Sequence, residues 1–76
     1  MGAYLLTDID QLVGDNLKVL RAHSGVSLDL VADHLGVSCQ QIQNYESGKH
    51  RINAERLFLL AAFFEVSMTD FFKDLS

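Results

Sequence analysis

Residues 27 to 48, SLDLVADHLGVSCQQIQNYESG, decide the fold, because they set two short capped helices on either side of a glycine corner. Ser27 and Ser38 each stand one residue before a helical pattern. A side-chain oxygen there accepts a hydrogen bond from one of the backbone N–H groups that a first turn leaves unpaired. Gln41, three residues after Ser38, is spaced to complete a capping box. Gly36 follows Leu35 where the first of the two helices must stop. Lacking a Cβ, it enters the left-handed region freely, so the chain turns sharply at that point. Ala32, four residues before the glycine, leaves room for the second helix to cross closely, and Ile42, six residues after it, falls on that helix's inner face. Val31, Leu35, Val37 and Tyr45 extend the apolar contact.

The outer face of the second helix has another character. At about 100° per residue, Gln40, Gln43, Asn44 and Ser47 lie within roughly a third of a turn opposite Ile42. An amide carries a donor and an acceptor side by side, so Gln or Asn can bond in bidentate fashion to the N6/N7 edge of adenine in the major groove. On an isolated helix such a face reads as solvated surface; behind a preceding helix and a tight corner it reads as a helix aimed at DNA.

From about Ile9 to Phe72 the chain resembles the XRE/Cro-type helix-turn-helix family of phage and bacterial regulators. The resemblance rests on VGDNLKVLR at 13–21, LVADHLGVS at 30–38, QQIQNYESGKHRI at 40–52, and the leucine-rich segment that ends in VSMTDFF. It implies a compact, all-α, lambda-repressor-like domain of five helices. The second and third helices would form the motif, over 28–47, and the third would be the recognition helix. By position, Cys39, Gln40, Gln41, Gln43 and Asn44 match family residues that face bases, and Ser47, Lys49 and Arg51 match those that touch phosphates. Arg21 and Glu46 occupy positions used for a partly buried ion pair between the first and third helices. Two positions depart from the pattern. Leu28 stands where a Gln usually bonds a phosphate and braces the recognition helix, and Cys39 stands where a polar base-reader is common, although a small soft side chain can pack on a thymine methyl.

Outward from the motif, the pattern predicts helices over 8–24, capped by Thr7 and closed by Gly25, then 28–35, 39–47, 54–64 capped by Asn53, and 68–75 capped by Ser67. No segment reads as a strand. Val13, Leu17 and Leu20 recur at helical spacing, as do Leu57, Leu60, Ala61 and Phe64, and with Val26, Val31, Leu35, Ile42 and Val66 they form the expected core. The 76 residues are 49% apolar, lack proline and show neither a linker nor a repeat, which fits a single domain spanning 1–76 with an arm at 1–7. A chain of this length buries only about 60 to 65% of its unfolded surface, so modest stability is expected.

The net charge of −4 argues against a general polyanion binder. Distribution matters more than the sum, because Lys49, His50 and Arg51 directly follow the recognition helix. Asp8, Asp29, Glu55 and Asp70 fall in first turns, where the helix dipole favours a carboxylate. One cysteine and three scattered histidines, at 23, 34 and 50, offer neither a disulfide nor a metal site. No nucleophile stands near a histidine and no glycine-rich phosphate loop is present, so no enzyme activity and no cofactor are expected. The start, MGAYLLTD, lacks the features of a signal peptide, and the apolar run 57–64 is far short of the roughly 20 residues a bilayer span needs, so a cytoplasmic location without membrane contact is expected.

The fourth helix carries more apolar surface than one core needs. Phe58, Leu59 and Phe63 on its other faces, with Phe71 and Phe72 beyond, form an expected dimer face, to which Tyr4, Leu5 and Leu6 could add. A homodimer placing recognition helices about 34 Å apart in successive major grooves is the working expectation. The expected function, as the resemblance implies it, is that of a sequence-specific double-stranded DNA-binding transcriptional regulator, acting as a repressor. Two rival readings stay open: an antitoxin or other complex-forming regulator that covers the fourth and fifth helices with a different protein partner, and an interaction module that binds no DNA.

Overall fold

The computed structural model describes residues 6–74, which form four α-helices and a closing 3-10 segment: α1 (Leu6–Ser24), α2 (Leu28–Leu35), α3 (Cys39–Glu46), α4 (Ala54–Phe64) and Met68–Phe72. No strand occurs among the described residues. Tyr4 and Leu5 of the expected arm, and Leu75 at the end of the expected fifth helix, lie outside them.

Local chemistry sets most of the boundaries. The side chains of Ser27, Ser38 and Asn53 accept from the backbone N–H groups of Leu30, Gln41 and Arg56 at 3.1, 3.1 and 2.8 Å, and so start α2, α3 and α4. Gly36 closes α2 at φ 70°, and Val37 N–H donates back to the Ala32 carbonyl at 3.0 Å. α4 ends without a glycine, on Glu65 at φ 58°.

Two expectations are corrected. α1 already includes Leu6, the first described residue, so Thr7 lies inside the helix and not at the position before it where a cap would stand. The fifth element is a 3-10 segment of five residues, shorter and tighter than the α-helix expected over 68–75. The Phe71 carbonyl, which an α-helix over 68–75 would direct to the N–H of residue 75, accepts from Nδ2 of buried Asn16 on α1 at 3.0 Å, and the same nitrogen donates to the Lys73 carbonyl at 2.9 Å, which ties the end of the segment to α1.

The core consists of Val13 and Leu17 from α1, Val31 and Ala32 from α2, Ile42 and Tyr45 from α3, Leu57, Leu60 and Ala61 from α4, and Phe71. Leu20, Val26, Leu35, Phe64 and Val66 pack against it half-buried. α2 packs on α3 and on α4, while α1 lies across α3 and the 3-10 segment. The α1–α3 crossing depends on Gly14, where a Cβ would sit 2.2 Å from the Tyr45 carbonyl oxygen. Any larger residue there would force the first helix away from the motif.

Candidate nucleic-acid interface

The inner face of α3 is held from several directions. Ile42 and Tyr45 are fully buried, and the Tyr45 hydroxyl accepts from Arg56 Nη1 of α4 at 2.7 Å. Glu46 receives Arg21 in bidentate geometry, with Nε to Oε2 at 2.6 Å and Nη2 to Oε1 at 3.3 Å. The hydrogen bond to Glu46 raises the Arg21 pKa above its ordinary value, against the opposing pull of desolvation. The same guanidinium reaches the Val26 carbonyl through Nη1 at 3.4 Å, so one side chain joins α1, α3 and the loop leading into α2. Burial within the pair is unequal: Glu46 is 8% exposed and Arg21 23%.

With that face locked inside, α3 presents the opposite one to solvent. Gln40, Gln43 and Ser47 are exposed, and Cys39, Gln41 and Asn44 are half-buried along its edges. Gln40, Gln43 and Asn44 thus share one accessible ridge, with Gln41 on one flank and Cys39, packed against the core, on the other. Gln40 Nε2 donates to Asn44 Oδ1 at 3.1 Å, one turn along the helix. Cys39 donates its thiol hydrogen to the Asp29 carboxylate of α2. That bond, followed by desolvation and the charges of Asp29 and Asp33, pushes the thiol pKa up. A helix N-terminus by itself favours a thiolate, and the two carboxylates act in the opposite direction.

Gln41 departs from its expected capping role. Ser38 makes its half of the box by accepting from Gln41 N–H, but the Gln41 side-chain oxygen is engaged by His50 at 3.0 Å. Leu28 is half-buried against the core, which turns the family's phosphate-bonding position into a packing position.

The residues matched to phosphate contacts flank the C-terminal end of α3. Lys49 is exposed. Ser47 commits its single hydroxyl hydrogen to the Asn44 carbonyl at 3.1 Å, so a phosphate would have to take it from there. Arg51 is 57% exposed, yet its Nε and Nη2 meet the two oxygens of Asp10 on α1 at 2.9 and 3.3 Å, which raises its pKa. Sequence reasoning missed that pair because 41 residues separate its members.

Of the five residues expected at a dimer face, Phe58 is 60% exposed and Phe72 47%, with Leu59 half-buried. Phe63 is half-buried with its ring 4.8 Å from that of His34 and edge-on to Phe64 at 5.0 Å. Phe71 corrects the expectation: its ring is fully buried in the chain's own core and has no surface to offer a second subunit. No group of three or more potential metal ligands occurs among the described residues, and none of the described helices is long and apolar enough to cross a membrane.

A helix-turn-helix family model matches residues 17–71. An uncharacterized HTH-type transcriptional regulator from Sinorhizobium medicae is 36% identical over 66 residues, covering 87% of this chain and 48% of that protein. An uncharacterized transcriptional regulator in the ATPase CF(0) region of Rhodospirillum rubrum is 39% identical over 67 residues, covering 88% and 62%. The chain therefore spans about half to three fifths of the length of these curated relatives. Among solved structures, the clp gene regulator ClgR from C. glutamicum superposes with a TM-score of 0.78 at 26% identity, covering 91% of this chain and 86% of that one. The restriction-modification controller protein C.AhdI from Aeromonas hydrophila superposes with a TM-score of 0.76 at 21% identity, a likeness of fold, covering 83% and 96%.

Proposed function

The chain belongs to the XRE-type helix-turn-helix family of DNA-binding transcriptional regulators, and from that premise we propose that it is a repressor that binds a two-fold symmetric operator as a homodimer. The observation that carries this reading is the division of α3, whose apolar residues Ile42 and Tyr45 are wholly buried while Gln40 and Gln43 on the opposite side are exposed to solvent. Cys39, Gln40, Gln41, Gln43 and Asn44 meet base edges in the major groove; Lys49, Arg51 and Ser47 meet phosphates and set the register. Phe58 and Phe72 supply the dimer contact, since burying two such rings against a second copy removes exposed apolar surface from water.

Selection of bound sites from random duplexes tests the reading. The expected product is a palindrome whose half-sites lie about one helical turn apart, occupied by two chains. Recovery of unrelated sequences with no common motif would refute base reading. The exposure of Phe58 and Phe72 also suits a different protein partner in place of a second copy. A chain that stays monomeric in light scattering, both free and on the selected duplex, would favour that alternative.

A further inference from the structure

We propose that His50 is a specificity-determining positioning residue. Through Nδ1–H it holds the side-chain oxygen of Gln41, and so presents the Gln41 NH2 group to the major groove as a hydrogen-bond donor. The inference rests on the reading of α3 as a base-reading helix and concerns a residue outside the sets matched to bases and phosphates.

The loop after Gly48 folds back on α3, where Lys49 N–H and His50 N–H both donate to the Asn44 carbonyl, at 2.9 and 3.3 Å. This places the His50 ring over the helix, with Nδ1 3.0 Å from Gln41 Oε1 and 3.5 Å from Asn44 Nδ2. One nitrogen cannot serve both. An oxygen only accepts, so the shorter contact requires a hydrogen on Nδ1, and an Nδ1 that carries a hydrogen has no lone pair for Asn44. Asn44 keeps its amide hydrogens for another acceptor, while its oxygen is already met by Gln40. A glutamine amide without a partner flips between two orientations that place an oxygen or an NH2 group at the same point. Those orientations read different bases: an outward NH2 suits guanine O6/N7, adenine N7 or thymine O4, and an outward oxygen suits the cytosine or adenine amine. His50 chooses between them from the loop.

The test has two arms. In the free protein, ring nitrogen chemical shifts should show the Nδ1–H tautomer of His50, and Gln41→Ala should convert it to Nε2–H. A wild-type ring protonated at Nε2 alone overturns the proposal. On the selected duplex, His50→Ala should lower discrimination at one base pair per half-site about five- to tenfold, while nonspecific affinity stays within about twofold. Gln41→Ala should lose the same preference, and adding His50→Ala to it should cost nothing more. His50→Asn, whose amide nitrogen replaces Nδ1, should restore the preference. Unchanged discrimination in His50→Ala, or a uniform loss on every sequence, overturns the proposal. If the wild-type chain enriches no sequence, base reading fails and this role with it, and the tautomer arm still reports separately on the His50–Gln41 contact.

Discussion

The inner and outer faces of α3 both carry polar groups, but the partners come from different places. Inside, Tyr45 and Glu46 are tied by Arg56 and Arg21, side chains of other helices. Outside, Gln40, Gln41, Asn44 and Ser47 bond within α3 or to the loop that directly follows it. Long-range partners make the inner groups part of the fold, because removing one leaves its mate stranded in a place shaped by several elements. Local partners leave the outer groups exchangeable: water or a base edge can replace a neighbouring amide without moving the backbone. Changes inside should therefore be seen as stability, and changes outside as selectivity.

The largest expected effect is on the inner face, and it is asymmetric. Arg21→Ala strands Glu46, the more buried member at 8% exposure, and should cost about 3 kcal/mol in denaturant unfolding. Glu46→Ala should cost less, about 1 to 2 kcal/mol, because Arg21 at 23% exposure can turn to water. Equal costs would mean that Glu46 also finds solvent once its partner is gone. Next comes the outer face, where Gln40→Ala or Asn44→Ala should lose about 1 to 3 kcal/mol of binding on the selected site with little change in unfolding. Because the two amides bond each other, the double variant should lose less than the sum. A loss of fold stability as large as the loss of binding would erase the distinction between the faces.

Arg51 lies between these regimes, exposed like the outer face but tied to α1 like the inner one. Arg51→Ala should flatten the salt dependence of binding by about one unit for each phosphate the guanidinium neutralises, with little effect on stability. Asp10→Asn should act in the opposite direction, strengthening binding slightly on all sequences alike, since it removes a carboxylate from the cation's side. An unchanged slope in Arg51→Ala would place this residue away from the phosphates. The smallest effect concerns Cys39, whose raised pKa means less thiolate near pH 8 than a free cysteine has. Alkylation should be slow, and faster in Asp29→Asn. Because the folded pKa is the raised one, the thiol–carboxylate bond contributes below the ordinary thiol pKa and is lost as pH rises through the folded value. Equal alkylation rates in the two proteins would remove Asp29 from that role.

What could be seen in the chain as written is the set of interactions that act within about four residues. Ser27, Ser38 and Asn53 cap where expected, Gly36 takes the left-handed corner, and α3 divides into a buried side around Ile42 and an amide side around Gln40 and Gln43. These depend on local backbone geometry and period, so residue order alone specifies them. The Arg21–Glu46 pair is legible only through family resemblance.

Other features required distant segments to meet. Asn16 reaches carbonyls 55 and 57 residues away, where a 3-10 segment stands in place of the expected α-helix. Phe71, apolar like Phe72, proves to be core while its neighbour remains half outside. Gly14 is needed because α1 crosses the Tyr45 carbonyl at its own backbone distance. Periodicity tells which side of a helix is apolar; only the packed chain decides which apolar side lies under which helix, and which polar atom waits at the crossing.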